Sequence, residues 1–106
     1  MLLLTIDHVP GKKIQALGLV KGSVVQSKHV GNDFMAGMKT LVGGEIRSYT
    51  DMLVEARQIA TDRMVGEAGG LGADGVIGIR YATSSVMQGA AEVTAYGTAV
   101  RILGEA

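Results

Sequence analysis

Apolar and polar positions along this chain change rhythm several times, and each change marks an element. Leu2-Leu3-Leu4-Thr5-Ile6 is a short apolar run stopped by Asp7 and His8, which predicts a strand over residues 2–6. Val9-Pro10-Gly11-Lys12 then places proline before glycine, the order of a type II turn. From Ile14 to His29 the chain is rich in Val, Leu and Ser without a helical stripe. That stretch predicts one long strand, bent or bulged near Gly18 or Gly22. Gly31-Asn32-Asp33 offers a helix start, and Phe34, Met35, Met38, Leu41 and Val42 follow at helical spacing, with Gly43-Gly44 as the stop.

The strongest helical signal comes next. Ser48 stands in the N-cap position with Asp51 three residues on, as in a capping box. Met52, Leu53, Ala56, Ile59, Ala60, Met64 and Ala68 form one apolar stripe, with Glu55, Asp62, Arg63 and Glu67 left for water. Gly69-Gly70 ends it. Residues 75–82 read as a strand, 84–89 as a polar connection, and 92–102 as a last strand completing an antiparallel hairpin. The predicted order is β-β-α-α-β-β: an α+β fold, a small, mostly antiparallel sheet with two helices on one face. With no linker and no internal repeat, residues 1–106 read as a single domain.

Composition changes this picture in one respect. Apolar residues make up 47% of the chain, yet the aromatic ones are only Phe34, Tyr49, Tyr81 and Tyr96, and there are 16 glycines. Such a core is assembled from small units of burial, and each glycine costs backbone entropy on folding. Association with further copies is one way to add buried area. The C-terminal hairpin is where a neighbour is expected. Gly78, Ala95, Gly97 and Ala99 allow close approach there, while Arg80, Glu92 and Arg101 require partners if they are covered.

Charge narrows the function classes. Ten basic residues balance ten acidic ones without a basic run, which disfavours nucleic acid as a partner. The apolar start is too short for a membrane span and lacks a basic leader, so no membrane partner and a cytoplasmic location are expected. Without cysteine there is no disulfide, zinc finger or thiol nucleophile.

Four features suggest chemistry. Gly70, Gly72 and Gly75 spell G-x-G-x-x-G, but a helix precedes and a strand follows, the reverse of a dinucleotide site; a helix C-cap and turn explain them. His8 and His29 are candidate metal ligands, His8 the better for its neighbour Asp7. Neither has a ligand-spaced companion, and exposed loop histidines are the simpler reading. Met35, Met38, Met52 and Met64 could hold a soft ion, but all lie on stripes assigned to the core. Asp51 and Glu55 share a helix face and read as solvated, with Asp51 in the first turn. No nucleophile elbow or phosphate loop is present, so an enzyme is not expected and no cofactor is assigned.

Several separated motifs together resemble one family. Gly44-Glu45-Ile46, Tyr49-Thr50, Glu55-Ala56-Arg57, Ala60, Glu67-Ala68, Leu71-Gly72-Ala73-Asp74-Gly75-Val76 and Ala95-Tyr96-Gly97-Thr98-Ala99-Val100 are similar to the YbjQ-like family over nearly the whole chain. The resemblance implies a small ring-forming subunit, a homopentamer, in an uncharacterised family labelled as a heavy-metal-binding domain. It supplies no catalytic motif. Two classes follow: a ring-shaped binding or scaffold protein with a small molecule or ion between subunits, or a metal-binding protein. Any metal in this chain has to be held by carboxylates or by ligands from neighbouring subunits.

Overall fold

The computed structural model describes residues 1–27 and 44–106. Strand β1 is Leu2–Leu3, β2 is Lys12–Ser27, helix α1 is Gly44–Gly70, β3 is Gly75–Met87 and β4 is Ala90–Glu105. They form a four-stranded sheet in the order β1-β3-β4-β2.

This architecture corrects the fold read from the sequence. α+β holds, but the described residues carry one helix and a mixed sheet in the order β-β-α-β-β, where two helices and a mostly antiparallel sheet were expected. The earlier of the two expected helices, over residues 34–42, falls outside the described residues. The sheet is mixed because β1 pairs parallel with β3, Leu2 opposite Gly75 and Leu3 opposite Val76. β2 instead joins the far side of β4. The connection between them therefore crosses β3 and β4, and what it buries explains the route. Val9, Ile77 and Val100 form a small cluster with Leu4, Ile14 and Ile102 packed against it. Val9 then leads into the predicted turn, where the Lys12 N–H donates to the Val9 carbonyl over 3.0 Å and Gly11 has φ +73°.

Helix α1 begins earlier than expected. Its backbone is helical from Gly44, and Ser48 lies inside it, not at its cap. Met52, Ala56, Ala60, Met64 and Ala68 are buried at strict four-residue spacing, with Leu53 and Ile59 half-buried beside them. This ridge packs on Val20, Val24, Val76, Ile79, Val93, Ala95 and Ala99 to make the main core. The helix reaches the sheet at a glycine. A Cβ on Gly22 would stand 2.3 Å from the Ala60 carbonyl oxygen and 2.4 Å from the Met64 nitrogen.

The end of α1 is a Schellman motif. Gly72 N–H donates to the Gly69 carbonyl and Ala73 N–H to the Ala68 carbonyl, at 3.0 and 3.1 Å, and Gly72 holds φ +76°. The glycines of the apparent nucleotide motif are thus a helix stop leading into a strand. Asp74 fixes the turn to β4: its N–H donates to the Val100 carbonyl, and its carboxylate accepts from Ile102 N–H at 2.8 Å.

The hairpin is longer than the sequence reading. β3 and β4 continue until Met87 faces Ala90, leaving Gln88-Gly89 as the turn, with Gly89 at φ +80°. Ser84 and Ser85, expected in a connection, are strand residues. A bulge at Gly78-Ile79, opposite Gly97, has Gly78 at φ +62°. With strands this long the molecule is extended, 58 × 22 × 17 Å, and its radius of gyration is 17.5 Å. A compact domain of this length has about 13 Å.

Candidate functional site

From Val93 to Ala99 β4 alternates, and the two faces of the sheet differ there in consequence. Val93, Ala95, Gly97 and Ala99 turn to the helix side and are buried. Glu92, Thr94, Tyr96 and Thr98 point to the opposite face. Across that open face the strand register sets out successive rows: Leu19 with Thr98 and Ile77, Lys21 with Tyr96 and Arg80, Ser23 with Thr94 and Ala82, Val25 with Glu92 and Ser84. Leu19 is 65% exposed and Val25 and Tyr96 are exposed too, so large apolar side chains stand among charges on this face. The Ser23 and Thr94 hydroxyls are 2.8 Å apart, pairing polar positions of the neighbouring strands β2 and β4.

Of the charges that the sequence placed on the hairpin, Arg80 and Arg101 find partners within the chain. Arg80 Nη1 donates to the carbonyls of Thr5 and Ile79, at 2.9 and 2.8 Å. Arg101 reaches the Gly72 carbonyl at 3.5 Å, the outer limit of a hydrogen bond. Gln26, on the helix side near the hairpin tip, differs. Its Nε2 is buried and has no hydrogen-bond partner among the described residues. Leaving such a donor unpaired costs about 1–3 kcal/mol.

Of the two candidate histidines, His29 falls outside the described residues. His8 lies in the crossing segment with its side chain 63% exposed, and Nδ1 is 3.0 Å from an Asp7 carboxylate oxygen. That hydrogen bond, reinforced by a backbone N–H and by the charge of the ring, holds the Asp7 carboxyl below its ordinary range. Among the described residues no group of three or more His, Cys, Asp or Glu side chains converges. Among the described residues a metal ion would find two neighbouring ligands at Asp7-His8, fewer than a metal site needs. Met52 and Met64 are buried in the core, while Met35 and Met38 lie outside the described residues. Asp51 and Glu55 are both exposed. The open face and the unpaired Gln26 amide escaped sequence reasoning, because cross-strand rows depend on a register that no local pattern fixes.

Comparison with known proteins places this geometry. A family model described as "Putative heavy-metal-binding" matches residues 1–103. The chain belongs to the YbjQ family. Relatives in this family include a UPF0145 protein of Clostridium novyi, 63% identical over 97% of this chain and 100% of the relative. A UPF0145 protein of Thermus thermophilus is 59% identical over 96% of this chain and 90% of its own length. Among solved structures, a Pediococcus pentosaceus protein of unknown function from the DUF74 family superposes with a TM-score of 0.62 at 20% identity. It covers 96% of this chain and 97% of that one, which supports the fold. No helix among the described residues is long and apolar enough to cross a membrane.

Proposed function

We propose that this protein is a homo-oligomeric binding or scaffold protein, a ring-forming subunit with a small-molecule or ion site between copies, and not an enzyme. The open sheet face carries the reading. It presents Leu19, Val25 and Tyr96 beside Lys21, Arg80 and Glu92, a mixture suited to an interface with an apolar centre and polar rim. The buried Gln26 amide, without a partner among the described residues, supports it, since an acceptor from a neighbouring copy or a ligand would satisfy that donor. The extended shape supports it as well, because a chain so far from compact leaves buried area to be gained by association. Native mass spectrometry of freshly purified protein tests the proposal. A closed multiple of the chain mass, five by family resemblance, with an organic adduct or ion at fixed stoichiometry is expected. A monomer at micromolar concentration would refute it.

The second reading is a dedicated metal-binding protein, favoured by the family's description and by the Asp7-His8 pair. The two ligands found together among the described residues are too few alone, so on this reading copies bring their pairs together around a symmetry axis. Replacing both His8 and His29 with Ala separates the readings. On the first, the metal content of the purified assembly, measured by elemental mass spectrometry, is unchanged; loss of metal in that variant favours the second.

A further inference from the structure

The outer edge of β3 is divided. Near its start β1 and the segment after it occupy the edge: Leu4 N–H donates to Val76, and Gly78 and Ile79 N–H donate to Ile6 and Leu4, at 2.7–3.1 Å. Beyond Arg80 no described strand lies alongside. Because Ile79 points its N–H away from β4, alternation along the strand sends the peptide groups of Tyr81, Thr83 and Ser85 the same way. Every residue from Arg80 to Met87 is exposed, on both faces of the strand. Met87 is 68% exposed, and Tyr81 and Val86 nearly half. Among the described residues nothing pairs with this long edge, and residues 81–87 include no lysine, acid or proline to guard it.

We infer that this edge binds a second copy of itself, β3 to β3 in antiparallel register about a two-fold axis at Thr83. Three observations select that occupant. First, the register satisfies every outward group: Thr83 faces the partner's Thr83, and Tyr81 faces the partner's Ser85, each pair exchanging both bonds. Second, it avoids a charge clash. Arg80 is the sole charged residue from Arg80 to Met87 and falls opposite the partner's Val86, so the two arginines stay about 20 Å apart along the strand. Third, the other sheet edge is not available in its place. On β2 the Lys21 N–H is taken by Glu67 at 3.2 Å and the Ser23 carbonyl by Arg63 at 2.6 Å. The contact is isologous, so it goes beyond ring formation, which requires a head-to-tail contact. A ring whose subunits also pair this way doubles.

Thr83→Pro tests it. The Thr83 N–H points outward, so proline removes an intermolecular donor without removing a bond to β4. Circular dichroism should be retained and the native mass at micromolar concentration should fall by half. The chain has no cysteine, so Thr83→Cys introduces a single thiol, and most chains should form a disulfide dimer on a non-reducing gel after mild oxidation. An unchanged native mass for Thr83→Pro, or a Thr83→Cys chain that stays uncrosslinked, overturns the inference. The ring proposal is judged separately. A native mass of two chains halved by Thr83→Pro keeps this inference and removes the ring; five chains unaffected by it do the reverse.

Discussion

The two free edges of one sheet are treated in opposite ways. Along β2 the helix comes so close that its side chains turn back onto the strand, Glu67 accepting from Lys21 and Arg63 donating to Ser23. Along the outer edge of the distal half of β3 no described strand lies, and the residues of both faces are exposed. The difference traces to residue size. Gly22 and the small residues Ala56, Ala60 and Ala68 let α1 settle over β2, where its charged i, i+4 pair meets the edge. Tyr81 and Thr83 on β3 have bulk on the same side, and there α1 meets the strand through the hydroxyl pair of Thr61 and Tyr81, 2.8 Å apart. One edge is closed by packing, the other left for pairing.

The largest expected effect comes from forcing the closed edge open. Gly22→Val puts carbon atoms where the Ala60 carbonyl and the Met64 amide now sit, and helix backbone cannot give way as a flexible side chain can. The variant should lose about 3 kcal/mol or more of stability. Urea unfolding would measure this, and a loss below about 1 kcal/mol would show that the helix is not held where the comparison places it. A milder loss, about 1 kcal/mol, is expected for Gly72→Ala, where the positive φ of the helix stop is strained and the added Cβ would meet only the flexible end of Arg101, 3.0 Å away.

How much of this was legible beforehand depends on the range of the cause. The Pro10-Gly11 turn, the Gly69–Gly72 stop and the helical stripe of Met52, Ala56, Ala60, Met64 and Ala68 are local, set by residues within a turn or two of one another. The parallel pairing of β1 was not legible, because it follows from burying Val9 against Ile77 and Val100, residues far away in sequence. The start of α1 was misread because Gly44 and Ser48 have the chemistry of a stop and a cap, and propensity is a weak prior within a 27-residue helix. The polar run Ser84–Gly89 looked like a loop for a related reason. Its strand is exposed on both faces, so the alternation that reveals a strand is missing.

Removing the guards while leaving the packing tests the closed edge at a smaller scale. In Arg63→Ala with Glu67→Ala, water can replace both lost hydrogen bonds, since the groups are exposed, and stability should fall by only about 1 kcal/mol. The informative change is in association. A bare Lys21–Ser23 edge gives β2 the property now confined to β3, and light scattering should report concentration-dependent assembly beyond the native mass. If the double variant stays at the native mass, the side chains are not what closes that edge.

The smallest expected effect isolates the hydroxyl contact between the helix and the distal half of β3. Tyr81→Phe removes the hydroxyl but keeps the ring, and Thr61 is not orphaned because its Oγ1 also donates to the Arg57 carbonyl at 2.7 Å. Stability should therefore fall by about 0.5 kcal/mol, at the low end for a hydrogen bond exchanged with water. Native mass should not change, because the outward peptide groups of Tyr81, Thr83 and Ser85 are untouched. That pairing of outcomes distinguishes two ways the open edge could act. If Tyr81→Phe lowers the native mass as Thr83→Pro is expected to, the association depends on how the helix holds the strand. If it does not, the backbone edge itself is the binding surface.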